Sequence, residues 1–143
     1  MPLHLLKMAV GVEDPDHLAA LLAPRIRRPA SGAPYVPHRT RFLPRRADEI
    51  LPGGSLYWIV RGRVRVRQPI LAFVRRAGKD GGCEIRLAPD LIATRPQRRR
   101  PMRGWRYLEA GEAPPDLPGG AGSDPAADLP DKMAEELREL GLI

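Results

Sequence analysis

The sequence predicts an α+β fold, a curled mixed or antiparallel sheet with one or two helices packed on it. Three observations carry that expectation. Short apolar or alternating stretches outnumber helical ones and gather after residue 55. A chain of 143 residues suits one core of ordinary size. Aromatics are few (two Trp, three Tyr, two Phe), so the core must rest on Leu, Ile, Val and Ala.

The elements follow in order. LHLLKMAV (3–10) is apolar, short and stopped by Gly11, as a buried strand would be. EDPDHLAALLAP (13–24) opens a helix: Asp14 is suited to N-cap, Pro15 to the first helical position and Asp16 to the positive dipole end. Leu18, Leu21 and Leu22 share its apolar face, and Pro24 ends it. RRPASGAPYVP (27–37) has loop composition, HRTRFL (38–43) reads as a strand, and PRRADEIL (44–51) as two helical turns before Pro52-Gly53-Gly54.

LYWIVRGRVRVRQ (56–68) reads as one strand with a bulge or bend at Gly62, and ILAF (70–73), after Pro69, continues it or starts another strand. RRAGKDGG (75–82) is a turn by composition, CEIRLA (83–88) an alternating strand, LIATRP (91–96) a further short strand, and QRRRPMRG (97–104) an arginine-rich loop leading into WRYL (105–108). These elements place a single domain in residues 1–110. A Pro/Gly/acidic linker covers 111–130, and a terminal helix covers 131–143 with Met133, Leu137 and Leu140 on one face.

Charge is segregated. From Arg25 to Arg106 there are 21 basic residues against 5 acidic ones, whereas from Tyr107 onward there are 2 against 9. Such a basic body with an acidic tail points to a polyanionic partner. Arginine outnumbers lysine 21 to 3, which codon bias in a GC-rich genome also produces; that bias does not account for the missing acids. Cys83 is the only cysteine, so an internal disulfide is excluded and a reducing compartment fits. No apolar run reaches the roughly 18 residues of a membrane span, and the first residues lack a secretory pattern. A cytoplasmic protein with no membrane partner is expected.

Arg61, Arg63, Arg65 and Arg67 alternate along the predicted strand and would share a face, about 6.6–6.8 Å apart. A bulge at Gly62 would displace Arg61 and leave three aligned. Guanidinium forks donate paired hydrogen bonds to phosphate at any relevant pH. Arg98, Arg99, Arg100 and Arg103 add a basic loop, with Arg106 just beyond it, and Arg41, Arg45 and Arg46 a third group. Trp105 and Tyr107 are placed to stack on unpaired bases. These residues define the favoured expectation, non-catalytic binding of RNA or single-stranded nucleic acid.

Two alternatives come from other classes. His38-x-Thr40 with Arg41 matches half of the paired His-x-Thr/Ser signature of two-histidine phosphoesterases, in which one imidazole takes a proton while the other gives one. No second copy surrounds His4 or His17. The acidic terminal helix, for its part, can dock on a protein partner or on the chain's own arginines. No metal or cofactor is expected, because three scattered histidines and one cysteine form no ligand spacing.

The blocks MPLHLLKMAVGV, HRTRFLPRRADEILPGGSLYWIVRG, RQPIL and GWRYLEAGEAPPDL, within residues 1–117, resemble a family of small alphaproteobacterial proteins known only as a domain of unknown function. That resemblance implies no activity. LPGGSLYWIVRGRVRVRQPIL is also similar in character to the strand after a Gly turn in PUA-like and ASCH-like barrels, although the diagnostic ASCH motif is absent. This second resemblance implies a small barrel and RNA or modified nucleotides as ligands.

Overall fold

The computed structural model describes residues 2–41, 43–76, 82–100 and 102–117. Its core is a seven-stranded open sheet of mixed direction. The strands are β1 (His4–Met8), β2 (Val36–Thr40), β3 (Ser55–Val60), β4 (Arg63–Arg75), β5 (Cys83–Leu87), β6 (Ile92–Arg98) and β7 (Trp105–Leu108). Their order is β2-β5-β4-β3-β1-β7, with β6 joined to β4. Only β1 and β3 run parallel; the other pairs are antiparallel.

Helix α1 (Pro15–Leu22) begins as its sequence dictates. The Asp14 carboxylate accepts the His17 amide at 2.7 Å, satisfying one of the unpaired first-turn donors. Leu18 and Leu22 are its buried face, and Ala23–Arg25 tightens into a 3-10 turn at Pro24. The predicted second helix is a single turn, α2 (Ala47–Ile50), anchored by the fully buried Ile50.

The sheet curls. Three strand junctions separate β2 from β3, yet the His38 ring meets the Trp58 ring edge-on at 5.4 Å. Inside the curl, Leu5, Leu56, Trp58, Val60, Val66, Ile85 and Leu87 pack with Leu18 and Leu22 of α1. The long β4 makes this curvature, pairing its first half with β3 and β6 and its second half with β5. Within that core Trp58 Nε1 donates to Gln68 Oε1 at 2.8 Å, and Gln68 Nε2 donates to the Ala88 carbonyl at 2.8 Å. The buried amide is thereby satisfied at both ends.

The outer face carries a second cluster, Leu6, Tyr57, Ile59, Val64 and Leu108. Residues 110–117 close over it as a packed strap. Arg95 donates its amide to the Pro115 carbonyl and Leu117 donates to Ala93, while Ala113 packs on the apolar cluster. Residues 111–117, linker-like in composition, are therefore part of the packed body. The rest of that linker and the terminal helix lie outside the described residues.

The arginine row is corrected at two points. LYWIVRGRVRVRQ is a hairpin rather than one strand: Val60 pairs with Arg63, and Arg61-Gly62 forms the two-residue turn with φ of 51° and 82°. Positive φ at both central positions matches the right-handed strand twist, which is why Gly62 turns the chain instead of bulging it. A bulge does occur further on. Trp58 pairs with Val66 and Ile59 with Val64, which makes Arg65 the additional residue. Val64 consequently joins the outer cluster and Val66 the inner one, although they are two apart. Arg63, opposite Val60, and Arg67, opposite Tyr57, thus fall on opposite faces, and no face carries three aligned arginines.

Candidate nucleic-acid interface

The strands at the two ends of the main order, β2 and β7, do not pair, and a cavity of about 730 Å³, the seam cavity, is lined by residues of β7 and by residues next to β2. Trp105 and Tyr107 supply one wall. Two residues apart on β7, they share a face and meet edge-to-face at 5.1 Å. Arg41, just after β2, and Arg45, just before α2, line the same cavity. Arg75 and Arg76, where β4 ends, line it too, so that four arginines border the cavity.

Gly82 closes the base of the seam. Its φ is +59°, and a Cβ there would run into the Thr40 carbonyl, so a residue without a side chain lets β2 and β5 meet. Of the four arginines, Arg76 pairs with Glu84 at 3.2 Å. The guanidinium groups of Arg41, Arg45 and Arg75 form no hydrogen bond or ion pair with a described residue, and all three residues are exposed. No carboxylate lines the cavity among the described residues. The site offers concentrated positive charge beside two π-faces.

Arg46 does different work. Its guanidinium binds Glu49 at 2.7 Å and Glu109 at 3.2 Å and lies 5.4 Å from the Tyr107 ring centroid, while its amide donates to Tyr107 Oη at 3.1 Å. It ties α2 to β7 and so fixes one cavity wall. Arg67 is likewise a structural group, donating Nε and Nη2 to the Asp116 carboxylate at 2.8 Å each and Nη1 to Ser55 Oγ at 2.8 Å. That guanidinium holds the Asp116 carboxyl below the usual carboxylate range and pins the strap.

The remaining predicted arginines fall in another place. Arg61, Arg63, Arg98, Arg99 and Arg100 line a shallower cleft of about 630 Å³ at the hairpin tip, where Arg99 donates its amide to the Gly62 carbonyl. Arg99 also reaches Gln97 at 3.1 Å and Glu112 at 3.8 Å. Arg61 holds a left-handed backbone that costs a residue with a Cβ about 1 kcal/mol. Arg65 is half-buried in the bulge, and Arg103 and Arg106 are exposed outside both cavities.

His38 points away from this chemistry. It does not line the seam cavity that holds Arg41, and its Nε2 is buried without a hydrogen-bond partner among the described residues. Burial first, then the charges of Lys7 and Arg25, lower its pKa to about 4. The imidazole is neutral at pH 7. His4 and His17 lie elsewhere: each accepts a backbone amide at Nδ1, His4 from Ser55 and His17 from Glu13.

A pH dependence follows from His38. Its folded pKa lies below its unfolded value of about 6.5, so the neutral ring's contribution is complete above pH 6.5. The contribution drains as pH falls toward 4. Urea unfolding at pH 7 and pH 4.5 should show about 2 kcal/mol more loss in wild type than in a His38→Leu variant. Equal losses in both proteins would refute this assignment.

Sequence reasoning missed Arg75 and Arg76 because their segment reads as a turn; the available signal was two adjacent cations at a strand end. It also missed Lys7, which pairs with Trp58 on one side and Trp105 on the other, between the core tryptophan and the cavity wall. That placement depends on register and is invisible in the local sequence. Among the described residues no group of His, Cys, Asp and Glu can hold a metal ion, and no helix is long and apolar enough to cross a membrane. Burial pushes the Cys83 thiol up from its ordinary value.

No curated protein and no solved structure matches this chain. One family model does match it, over residues 5–143, and extends past the blocks that suggested the resemblance. On that match the chain belongs to the family described as protein of unknown function (DUF1489).

Proposed function

We propose that the protein binds RNA or single-stranded nucleic acid in the cytoplasm, without catalysis, through the seam cavity and the arginine cleft at the hairpin tip. The observation that carries this reading is the grouping of Arg41, Arg45 and Arg75, none ion-paired to a described residue, around Trp105 and Tyr107. Guanidinium forks take phosphate oxygens and the indole face takes an unstacked base, a combination suited to splayed single strands. A duplex, with its bases stacked inside, cannot use the aromatic wall.

The two cavities lie at opposite ends of β4, whose 13 residues span at most about 40 Å. Bases held at one end and backbone phosphates at the other would bind one strand along the sheet.

Fluorescence anisotropy with labelled single-stranded RNA at several salt concentrations tests the reading. Micromolar or tighter binding is expected at low salt. Log affinity should fall against log salt with a slope near −2 to −4, about 0.7 for each phosphate neutralised. Absence of binding at low salt, or affinity indifferent to salt, would refute it.

A further inference from the structure

The seam cavity holds more charge than the interior of a nucleic-acid strand would neutralise. Its volume of about 730 Å³ lies within the range of small-ligand sites, about 300–1,000 Å³, and takes one or two nucleotides. Each internal phosphodiester carries one negative charge and offers two free oxygens. Against this stand Arg41, Arg45 and Arg75, three guanidinium groups with no ion pair to a described residue, while Arg76 has Glu84. One or two internal linkages would leave at least one cation unmatched.

A phosphomonoester differs in both respects. It carries about −1.5 to −2 at pH 7 and offers three strong acceptor oxygens. A terminal phosphate followed by one linkage brings close to three negative charges into the same volume. The aromatic wall then has a matching occupant. Trp105 meets the Tyr107 ring edge-to-face, an arrangement in which the two π-faces do not stack on each other. Tyr107 is fixed through its Oη and its ring by Arg46. Both aromatics pack partly against the inner core; Trp105, which Arg46 does not hold, is the one to offer its cavity-lining surface to a base, with the arginines of the same cavity for phosphate.

We propose that the seam cavity binds the phosphorylated terminus of a single strand, with the terminal phosphomonoester on Arg41, Arg45 and Arg75 and the adjoining base on Trp105. This inference rests on the nucleic-acid reading above and narrows it to strand ends. No bond is made or broken, and the site acts as an end-recognition pocket.

Competition anisotropy with RNA decamers of one sequence tests it, using a 5′-phosphate, a 3′-phosphate, hydroxyls at both ends, and a nucleoside monophosphate as a fourth ligand. One of the phosphorylated decamers should bind at least tenfold more tightly than the hydroxyl decamer, and which one does so identifies the end. The advantage should shrink below pH 6 as the monoester dianion takes up a proton and becomes a monoanion. It should vanish in an Arg41→Gln/Arg45→Gln/Arg75→Gln variant whose circular dichroism matches wild type. Equal binding of all three decamers would overturn the end-recognition proposal and leave nucleic-acid binding standing. A monophosphate bound as tightly as the phosphorylated decamer would overturn the strand as the source of the phosphate. Binding of none of them would overturn both readings.

Discussion

Replacing Arg41, Arg45 and Arg75 together by glutamine is expected to weaken single-stranded RNA binding about 100-fold at low salt. It should also flatten the salt dependence by about 2 in slope, since each phosphate contact on a single strand contributes about 0.7. The effect is large because the three groups converge on one cavity with no described carboxylate to neutralise them. It is smaller than three buried charge-assisted bonds would give, because all three are exposed and screened by water. A control variant, Arg27→Gln/Arg28→Gln/Arg39→Gln, removes the same charge at exposed positions outside the cavity. Its affinity should fall only a few-fold, through the general field. Equal losses in the two variants would mean that net charge, not the cavity, governs binding.

The second large effect concerns the scaffold. Gly54 lies where the chain turns from α2 into β3, donating its amide to the Ile50 carbonyl at 2.6 Å. A Cβ at this position would strike the Leu3 and Ile50 carbonyl oxygens and approach Ile50 Cγ2 to 2.8 Å. Two of those three obstacles are backbone, so no side-chain rotation relieves them. Gly54→Ala should therefore cost about 3 kcal/mol or more, read as a lowered urea midpoint at unchanged m value. Gly62→Ala is the comparison. Gly62 has open space around it and only its φ of +82° to object, so about 1 kcal/mol is expected there. A Gly54→Ala variant as stable as wild type would show that the turn can open, and that the contact between α2 and β1 does not set the start of β3.

Much of the fold was legible because its signals are local. Asp14, Pro15 and Asp16 specify the start of α1, and the alternation in CEIRL specifies β5, with Cys83, Ile85 and Leu87 inward. The hairpin was misread because Arg-Gly is an uncommon turn pair. Without Asn or Asp before Gly62, the period-2 alternation of the sequence carries no mark of a turn. The bulge at Arg65 has no local signature at all. It is set by which residues β3 presents across the ladder, and it sends Arg63 and Arg67 to opposite faces.

The site was legible in part. Arg41, Arg45 and Trp105 were visible as basic groups and an aromatic, but their convergence depends on the curl that brings β7 and the residues next to β2 to one cavity. Arg75 and Arg76 join them only because β4 is 13 residues long and carries its far end to the same seam. Arg46 and Arg67 show the reverse. Their residue type suggested phosphate, but acids distant in sequence, Glu109 and Asp116, claim them. In a chain this rich in arginine, the informative feature is which guanidinium groups the fold leaves without an acid.

Ultraviolet cross-linking of a phosphorylated single-stranded RNA to the wild-type protein, with the adduct mapped by mass spectrometry, tests the central claim most directly. The account predicts adducts on Trp105 or Tyr107, suppressed by high salt and by the Arg41/Arg45/Arg75 substitutions. Adducts confined to the hairpin-tip cleft, or scattered over the surface and indifferent to those substitutions, would contradict it.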